Sequence, residues 1–341
     1  MKLKNRSQDV FFSKINLHNQ TPNMKIVIIS DTHDKLIKEL PDGDILVHCG
    51  DYSLFGEYDE TKTFFDWFSE FPHKHKIVIP GNHEVGICPR RHQYRYSNPN
   101  FDKTMALIKS YTSINFLIDE ELIIEGVKFY GTPWCGGERH IMYRWGFYMS
   151  RDEQRAEVFK KIPDDTDILI SHTPPYDILD KYDGRTLGCP ALLERIKQVK
   201  PLVSCFGHIH SANGYIEKDG THFFNCSSLG ENYKIQYPCR VIEVQDKKLI
   251  SNNTVKVYDS KHRTIKEKME GIVAGLVNFR GQEYPPVPKK IDLPPSVWKP
   301  NPKDNETEDC IYCKVKLTKE NYAFTTDRGS MCMRCHWQIF D

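Results

Sequence analysis

The sequence has almost no net charge: Lys+Arg 47 stand against Asp+Glu 46 in 341 residues, a formal charge of +1. That balance excludes a global field drawing the chain to nucleic acid or to an anionic membrane, so electrostatic recognition has to be local. Long apolar runs are missing too. The opening "MKLKNRSQDVFFSKINLHNQ" is basic but holds no apolar stretch of signal-peptide length, and nothing elsewhere approaches the roughly 18–20 apolar residues of a spanning helix. The expectation is a soluble cytoplasmic protein with no membrane partner. There is no internal repeat, and no cysteine-dense secreted framework. Of 11 cysteines, most stand singly between Cys49 and Cys239, and the rest form two close pairs near the end, which suits reduced thiols plus a metal site.

What is present is enough apolar material for a sizeable core, with 39% hydrophobic and 12% aromatic residues. At this length one large domain with an appendage is expected. Apolar runs rich in Ile and Val recur as "MKIVIISDTH", "GDILVHCGD", "HKIVIPGNHE", "DILISHTPP" and "PLVSCFGHIH". Each reads as a buried strand closing on Asp, Asn or His beside Gly, Pro or Ser. Helical patterns near 60–70, 100–111, 151–161 and 188–198 lie between them, so the expected class is α/β, with ligands at the carboxyl ends of strands. From 212 to 258, turn signals such as "EKDG" and "VQDKK" predict antiparallel hairpins.

The expected domains are an N-terminal extension (1–23), a catalytic domain (24–258), an amphipathic helix and proline-rich linker (259–307) and a small cysteine module (308–341). In the third segment Ile265, Met269, Ile272, Val273 and Leu276 share one helical face, expected to pack on the core. Cys310-x2-Cys313 and Cys332-x2-Cys335 have the spacing of a four-thiolate structural zinc site, and zinc would supply much of the folding energy of so short a tail. Such a module could also bind a protein or nucleic-acid partner.

The chemistry lies in the combination Asp31-Thr32-His33, Gly50-Asp51, Gly81-Asn82-His83-Glu84, His172 and Gly207-His208-Ile209-His210, each at the mouth of a predicted strand. Two divalent ions about 3.5–4 Å apart can clamp the attacking and leaving oxygens of a phosphoryl displacement. Carboxylate and imidazole donors together favour Mn, Fe or Zn over Ca. Alternation in extended chain accounts for the His208-x-His210 spacing, turning both histidines to one side, toward the metals, and Ile209 to the core.

The order and spacing of these motifs resemble the calcineurin-like metallophosphoesterase superfamily. That resemblance implies a metallophosphoesterase-type β-sandwich flanked by helices. It also implies a first metal on Asp31, His33 and His210, a second on Asn82, His172 and His208, Asp51 as the bridge, and His83 as the catalytic histidine that is not a ligand. Across residues 24–245, "GTPW", "SHTPPYDILD", "LGC" and "FFNCSS" add a closer resemblance to metallophosphoesterase-domain proteins related to class III cyclic nucleotide phosphodiesterases. Some animal members of that group lack the second histidine of Gly-His-x-His and are weakly active; this chain keeps His210.

The implied reaction is hydrolysis of a small, nucleotide-like or cyclic-nucleotide phosphodiester by a metal-bridging hydroxide. The protein Ser/Thr phosphatases of the superfamily carry arginines after Gly-Asp and before Gly-Asn-His to hold a dianionic monoester. Here "GDYSLFG" and "PGNHE" have none, which favours a singly charged diester. The loop "CPRRHQYRY" leaves two readings open, substrate cations at Arg90, Arg91 or Arg95, or a solvated basic loop. A metal-dependent nuclease and a non-catalytic scaffold with a zinc adaptor are the competing functions.

Overall fold

The computed structural model describes residues 23–90, 99–136, 145–149, 152–260, 322–326 and 329–332, with backbone alone at 152–155 and in the last two stretches. The chain divides into two units, Met1–Lys268 and Met269–Asp341. In the second, Tyr322–Thr326 pairs antiparallel with Gly329–Cys332. Cys310, Cys313, Cys335 and the helix expected after Ser260 lie outside the described residues, as does the side chain of Cys332.

Among the described residues, the two large sheets of the first unit use twelve strands: β1 (Met24–Ile29), β2 (Ile45–His48), β3 (His75–Val78), β4 (Ile114–Phe116), β5 (Glu120–Ile124), β6 (Val127–Thr132), β7 (Ile168–Ser171), β8 (Val203–Phe206), β9 (Gly214–Lys218), β10 (Thr221–Asn225), β11 (Cys239–Gln245) and β12 (Lys248–Val255). They form two six-stranded sheets, ordered β12-β11-β1-β2-β3-β4 and β9-β10-β8-β7-β6-β5. β1 to β4 run parallel, as do β6, β7, β8 and β10, while antiparallel strands close the other edges.

Alternation within the strands explains the layering. Ile26, Ile28, Val47 and Ile77 of the first sheet share one buried cluster with Phe129, Ile168, Ile170, Val203, Cys205 and Phe224 of the second, which places the sheets face to face. The intervening Val27, Ile29, Leu46 and Val78 join a second cluster with Phe64, Phe65 and Phe68. Those aromatics belong to α1 (Tyr58–Ser69), whose start is closed by a reciprocal Glu57–Glu60 capping box. α2 (Phe101–Ser110) packs on α1, and α3 (Asp152–Phe159) on α4 (Pro190–Val199). Fully burying each such aromatic is worth about 1.5–3 kcal/mol, so α1 alone strongly anchors the first sheet's outer face. Burial on both faces is why these strands read as continuous apolar runs.

Both expected hairpins are present. Asp219-Gly220 and Asp246-Lys247 have φ of 52°, 82°, 49° and 56°, the positive pairs that a tight two-residue connection of twisted strands requires. They add β9 and β10 to one sheet and β11 and β12 to the other. Among the described residues, no helix is long and apolar enough to cross a membrane.

At the end of β2, His48 is fully buried, with its ring edge-on to Phe64 at 5.0 Å between centroids. The Gly50 amide donates to its Nδ1, so the neutral ring's proton sits on Nε2, 3.0 Å from Thr32 Oγ1. Burial pushes this histidine down to about 3 from its ordinary 6.5. Below the ordinary value the unfolded chain takes up a proton that the native ring refuses. Its contribution to stability is therefore present above about pH 6.5 and is lost as pH falls toward about 3. In chemical denaturation of the metal-free protein at about pH 7 and about pH 5, His48→Gln should lose less stability on acidification than the wild type. Equal losses would show that His48 does not set the acid sensitivity.

Candidate metal centre

The carboxyl ends of β1, β2, β3, β7 and β8 deliver Asp31 and His33, Asp51, Asn82 and His83, His172, and His208, respectively. Adjacent loops hold one another: the amides of Asp31, His33 and Asp34 donate to the carbonyls of Gly50, Asp51 and Tyr52. Asp31, His33, Asp51 and His208 have φ of 52°, 41°, 55° and 70°. Left-handed backbone costs a residue with a side chain of order 1–3 kcal/mol and persists only where its surroundings hold it. One such support is the His208 amide, which donates to both Asp31 carboxylate oxygens at 2.9 and 3.0 Å.

The glycines of the motifs are spacers for these side chains. A Cβ on Gly207 would stand 1.9 Å from Asp31 Oδ2, and one on Gly50, whose φ is +99°, would stand 2.5 Å from His172 Nδ1. Neither position admits alanine without displacing a candidate ligand.

The donors fall into overlapping groups. Asp31, His33 and His210 offer ligand atoms within 4.8 Å of one another, as do Asp31, Asp51 and His172; His33, Asp51 and His83; and Cys135, His172 and His208. The Nε2 atoms of His33 and His210 face each other at 3.1 Å. Asp51 Oδ2 lies 3.1 Å from His172 Nε2 and 3.8 Å from His33 Nε2, between the two histidines. Asn82 Oδ1 is 3.1 Å from the same His172 nitrogen. His172 donates Nδ1–H to the Cys49 carbonyl at 2.9 Å, which orients Nε2 toward Asp51 and Asn82.

The electrostatics follow from this crowding. For Asp51, burial alone would raise the carboxyl, but the charges of His172 and His83 outweigh it and hold the group well below the usual range. Asp31 is likewise depressed, its burial outweighed by a hydrogen bond and charge from His210. Burial lowers His172, yet Asp51 drives it up to about 9. Burial and His172 bring His208 down to about 4, and burial with His83 depresses His33.

His33 Nδ1 is buried with no hydrogen-bond partner, and the surrounding donors are carboxylate, imidazole and amide oxygen. This donor set fits divalent transition-metal ions.

His208 and His210 both reach the centre, but not by strand alternation. His208 is left-handed, and His210 opens a 3₁₀ turn, His210–Ala212. The reversal sends the His208 ring toward His172, with centroids 5.1 Å apart, and His210 toward His33. Asn225 pins the bend by donating to the Ile209 carbonyl at 3.0 Å.

His83 donates Nδ1–H to the Leu54 carbonyl at 3.0 Å, and its ring lies 4.2 Å from Trp145 and 4.4 Å from His33. Arg90 directs Nη1 to the Tyr148 carbonyl at 3.4 Å, while Arg91 and Arg95 lie outside the described residues.

Several supporting residues were not assigned from sequence. Buried Glu84 accepts from the amides of Gly81, Asp51 and Ser53 and from the Ser53 hydroxyl. Burial and the Asp51 charge push it up to about 8. Ser227 donates to Asp31 Oδ2 at 2.9 Å. Glu84 closes the Gly-Asn-His motif and Ser227 lies in "FFNCSS", so each sat in a quoted stretch without a role.

The family model for calcineurin-like phosphoesterases matches residues 24–212, which takes in every one of these strand ends. The chain belongs to the calcineurin-like phosphoesterase family. It is 36% identical over 220 residues to the Caenorhabditis elegans UPF0046 protein K07C11.7, covering 63% of this chain and 73% of that one. It is 32% identical over 237 residues to human metallophosphoesterase domain-containing protein 1, covering 64% of this chain and 71% of the human protein. A solved crystal structure superposes with a TM-score of 0.52 at 16% identity, over 69% of this chain and 99% of the other, a likeness of fold. For a calcineurin-like phosphoesterase, the clustered Asp and His side chains are the candidate metal-binding groups.

Proposed function

We propose that the chain is a dinuclear metal-dependent phosphodiesterase that hydrolyses a small nucleotide-like diester. The observation that carries this reading is the position of Asp51 Oδ2 between His33 and His172, a carboxylate placed to be shared by two ions. When bound, the metals, Mn, Fe or Zn, supply positive charge at the attacking and leaving oxygens and make water a competent nucleophile near neutral pH.

The chain's own residues do the rest. Asp31, His33 and His210 would hold one ion, Asn82, His172 and His208 the other, and Asp51 would serve both. Glu84 fixes the loops that carry Asp51 and Asn82 through its bonds to the Asp51 and Gly81 amides. His83, with Nδ1 committed to Leu54, presents Nε2 to the leaving oxygen as a proton or hydrogen-bond donor. Preference for a diester rests on the absence of arginine from "GDYSLFG" and "PGNHE". A monoester dianion needs more cationic help than a diester monoanion.

The test is metal-stripped protein reloaded with Mn, Fe, Zn or Mg and assayed on an aryl diester, the matching aryl monoester, cyclic nucleotides and single-stranded nucleic acid. The diester is expected to turn over faster than the monoester. Monoester preference at equal metal loading would overturn the diester assignment, and selective cleavage of nucleic acid would make the protein a nuclease.

A further inference from the structure

The described unit has seven free, buried cysteines, and their surroundings differ. Among the described residues, only Cys135 falls in a group of potential metal donors, with His172 and His208, all ligand atoms lying within 4.8 Å of one another. It is fully buried in the two-residue strand Cys135–Gly136, which pairs with Tyr148–Met149, and its amide donates to the Phe147 carbonyl at 2.8 Å. Its Sγ lies 3.9 Å from Asn82 Oδ1 and 3.6 Å from the Pro133 carbonyl. Asn82, His172 and His208 are the side chains assigned above to one ion.

Metal–nitrogen bonds of about 2.0–2.1 Å and metal–sulfur bonds of about 2.3 Å put such donors up to about 4.4 Å apart. A group spanning 4.8 Å needs only a small inward adjustment to meet one ion. An isolated buried thiol would be a small apolar filler. Sulfur beside two imidazoles and an amide oxygen is a set of donors able to meet one ion.

We propose that Cys135 is a further ligand of the ion held by Asn82, His172 and His208, which makes that half of the centre a nitrogen-sulfur site suited to a borderline or soft metal. The inference rests on reading the site as a metal centre. As the sulfur–metal bond forms, the thiol proton leaves to solvent, so binding at this half releases a proton that an oxygen ligand already ionised would not. Thiolate favours zinc or cadmium over manganese, whereas among the described residues the Asp31, His33 and His210 group has no sulfur donor.

The experiment uses the full-length, metal-stripped chain titrated with cobalt(II), whose thiolate complexes absorb by charge transfer in the near-ultraviolet. Because the tail cysteines are present in wild type and Cys135→Ser alike, the difference spectrum isolates Cys135. The expected result is a near-ultraviolet band in that difference, together with a loss of cadmium affinity of at least the roughly tenfold that removing an outer-shell partner costs, and a smaller loss for manganese. Superimposable spectra at equal cobalt content would overturn the assignment and leave Cys135 a packing residue.

If Cys135→Ser fails to fold by circular dichroism, cadmium NMR of the wild type decides. A resonance from this centre in the mixed sulfur–nitrogen range supports the proposal, and one in the nitrogen–oxygen range overturns it. His172→Ala separates the two levels of inference. If it binds as much cobalt as wild type, the metal-centre reading fails with this one; if it loses cobalt while the Cys135 difference spectrum is flat, only the sulfur ligand is wrong.

Discussion

Asp51→Asn is expected to abolish hydrolysis and to strip both ions from the centre while leaving the fold in place. The substitution preserves shape, so the Cβ environment and the acceptance of the His83 amide by Oδ1 at 2.9 Å can survive. Charge cannot. The carboxylate is set between His172 Nε2, at 3.1 Å, and His33 Nε2, at 3.8 Å. It stays ionised despite full burial because His172 and His83 face it. With Oδ1 kept on the His83 amide, an asparagine would put its NH2 group where Oδ2 stands, a donor in place of the shared anion that lets two cations sit close together. Elemental analysis of purified protein, compared with wild type so that any tail-bound zinc cancels, measures the outcome. Retention of the wild-type metal content would show that Asp51 does not bridge, and the two donor groups would then have to act as separate sites.

The sequence exposes this centre because of how the sheets are buried. β1, β2, β3, β7 and β8 are covered on both faces, so each reads as an unbroken apolar run, and the polar residue ending it stands out. β4, β5 and β6 escape the same reading. Ile114–Phe116 is too short to register, and Glu120–Ile124 is an edge strand whose Ile123 is 60% exposed, so its apolar and acidic residues follow no clear period. The two hairpins were legible from their turn residues, but not which sheet each would complete, since that depends on pairing across long stretches of chain.

The His208-x-His210 spacing points to two side chains that the structure brings into the cluster, but not by strand alternation. Strand alternation would have turned both rings to one side of an extended chain, whereas a positive φ at His208 and the turn after it send one ring toward His172 and the other toward His33. Left-handed backbone at a histidine is a property of the folded surroundings, here the Asp31 carboxylate and Asn225, and leaves no local mark in the sequence. Glu84, Ser227 and Cys135 were hidden likewise. Their meaning lies in partners as much as 196 residues away, as Ser227 to Asp31 shows.

His83→Ala is expected to keep the metals and to lose roughly 10²–10⁴ in rate, the usual worth of a positioned acid. The metals stay because the link between His83 and Asp51 is made by backbone: the residue's amide, not its ring, donates to Oδ1, and alanine retains it. The ring instead donates Nδ1–H to the Leu54 carbonyl and lies between Trp145 and His33, which fixes its direction without calling on a ligand oxygen. With Nδ1 committed to Leu54, any proton or hydrogen bond the ring gives to a leaving oxygen has to come from Nε2. Loss should therefore fall on kcat, and most heavily for substrates with poor leaving groups. An aryl ester whose phenolate departs unaided should suffer less than an alkyl or nucleoside ester. The competing role is also visible, since His33, Asp51 and His83 bring ligand atoms within 4.8 Å of one another. Metal content decides between the two: a variant that loses an ion together with its rate would make His83 a ligand, and a variant with full metal and an equal rate loss on both classes of ester would leave it no part in protonating the leaving group.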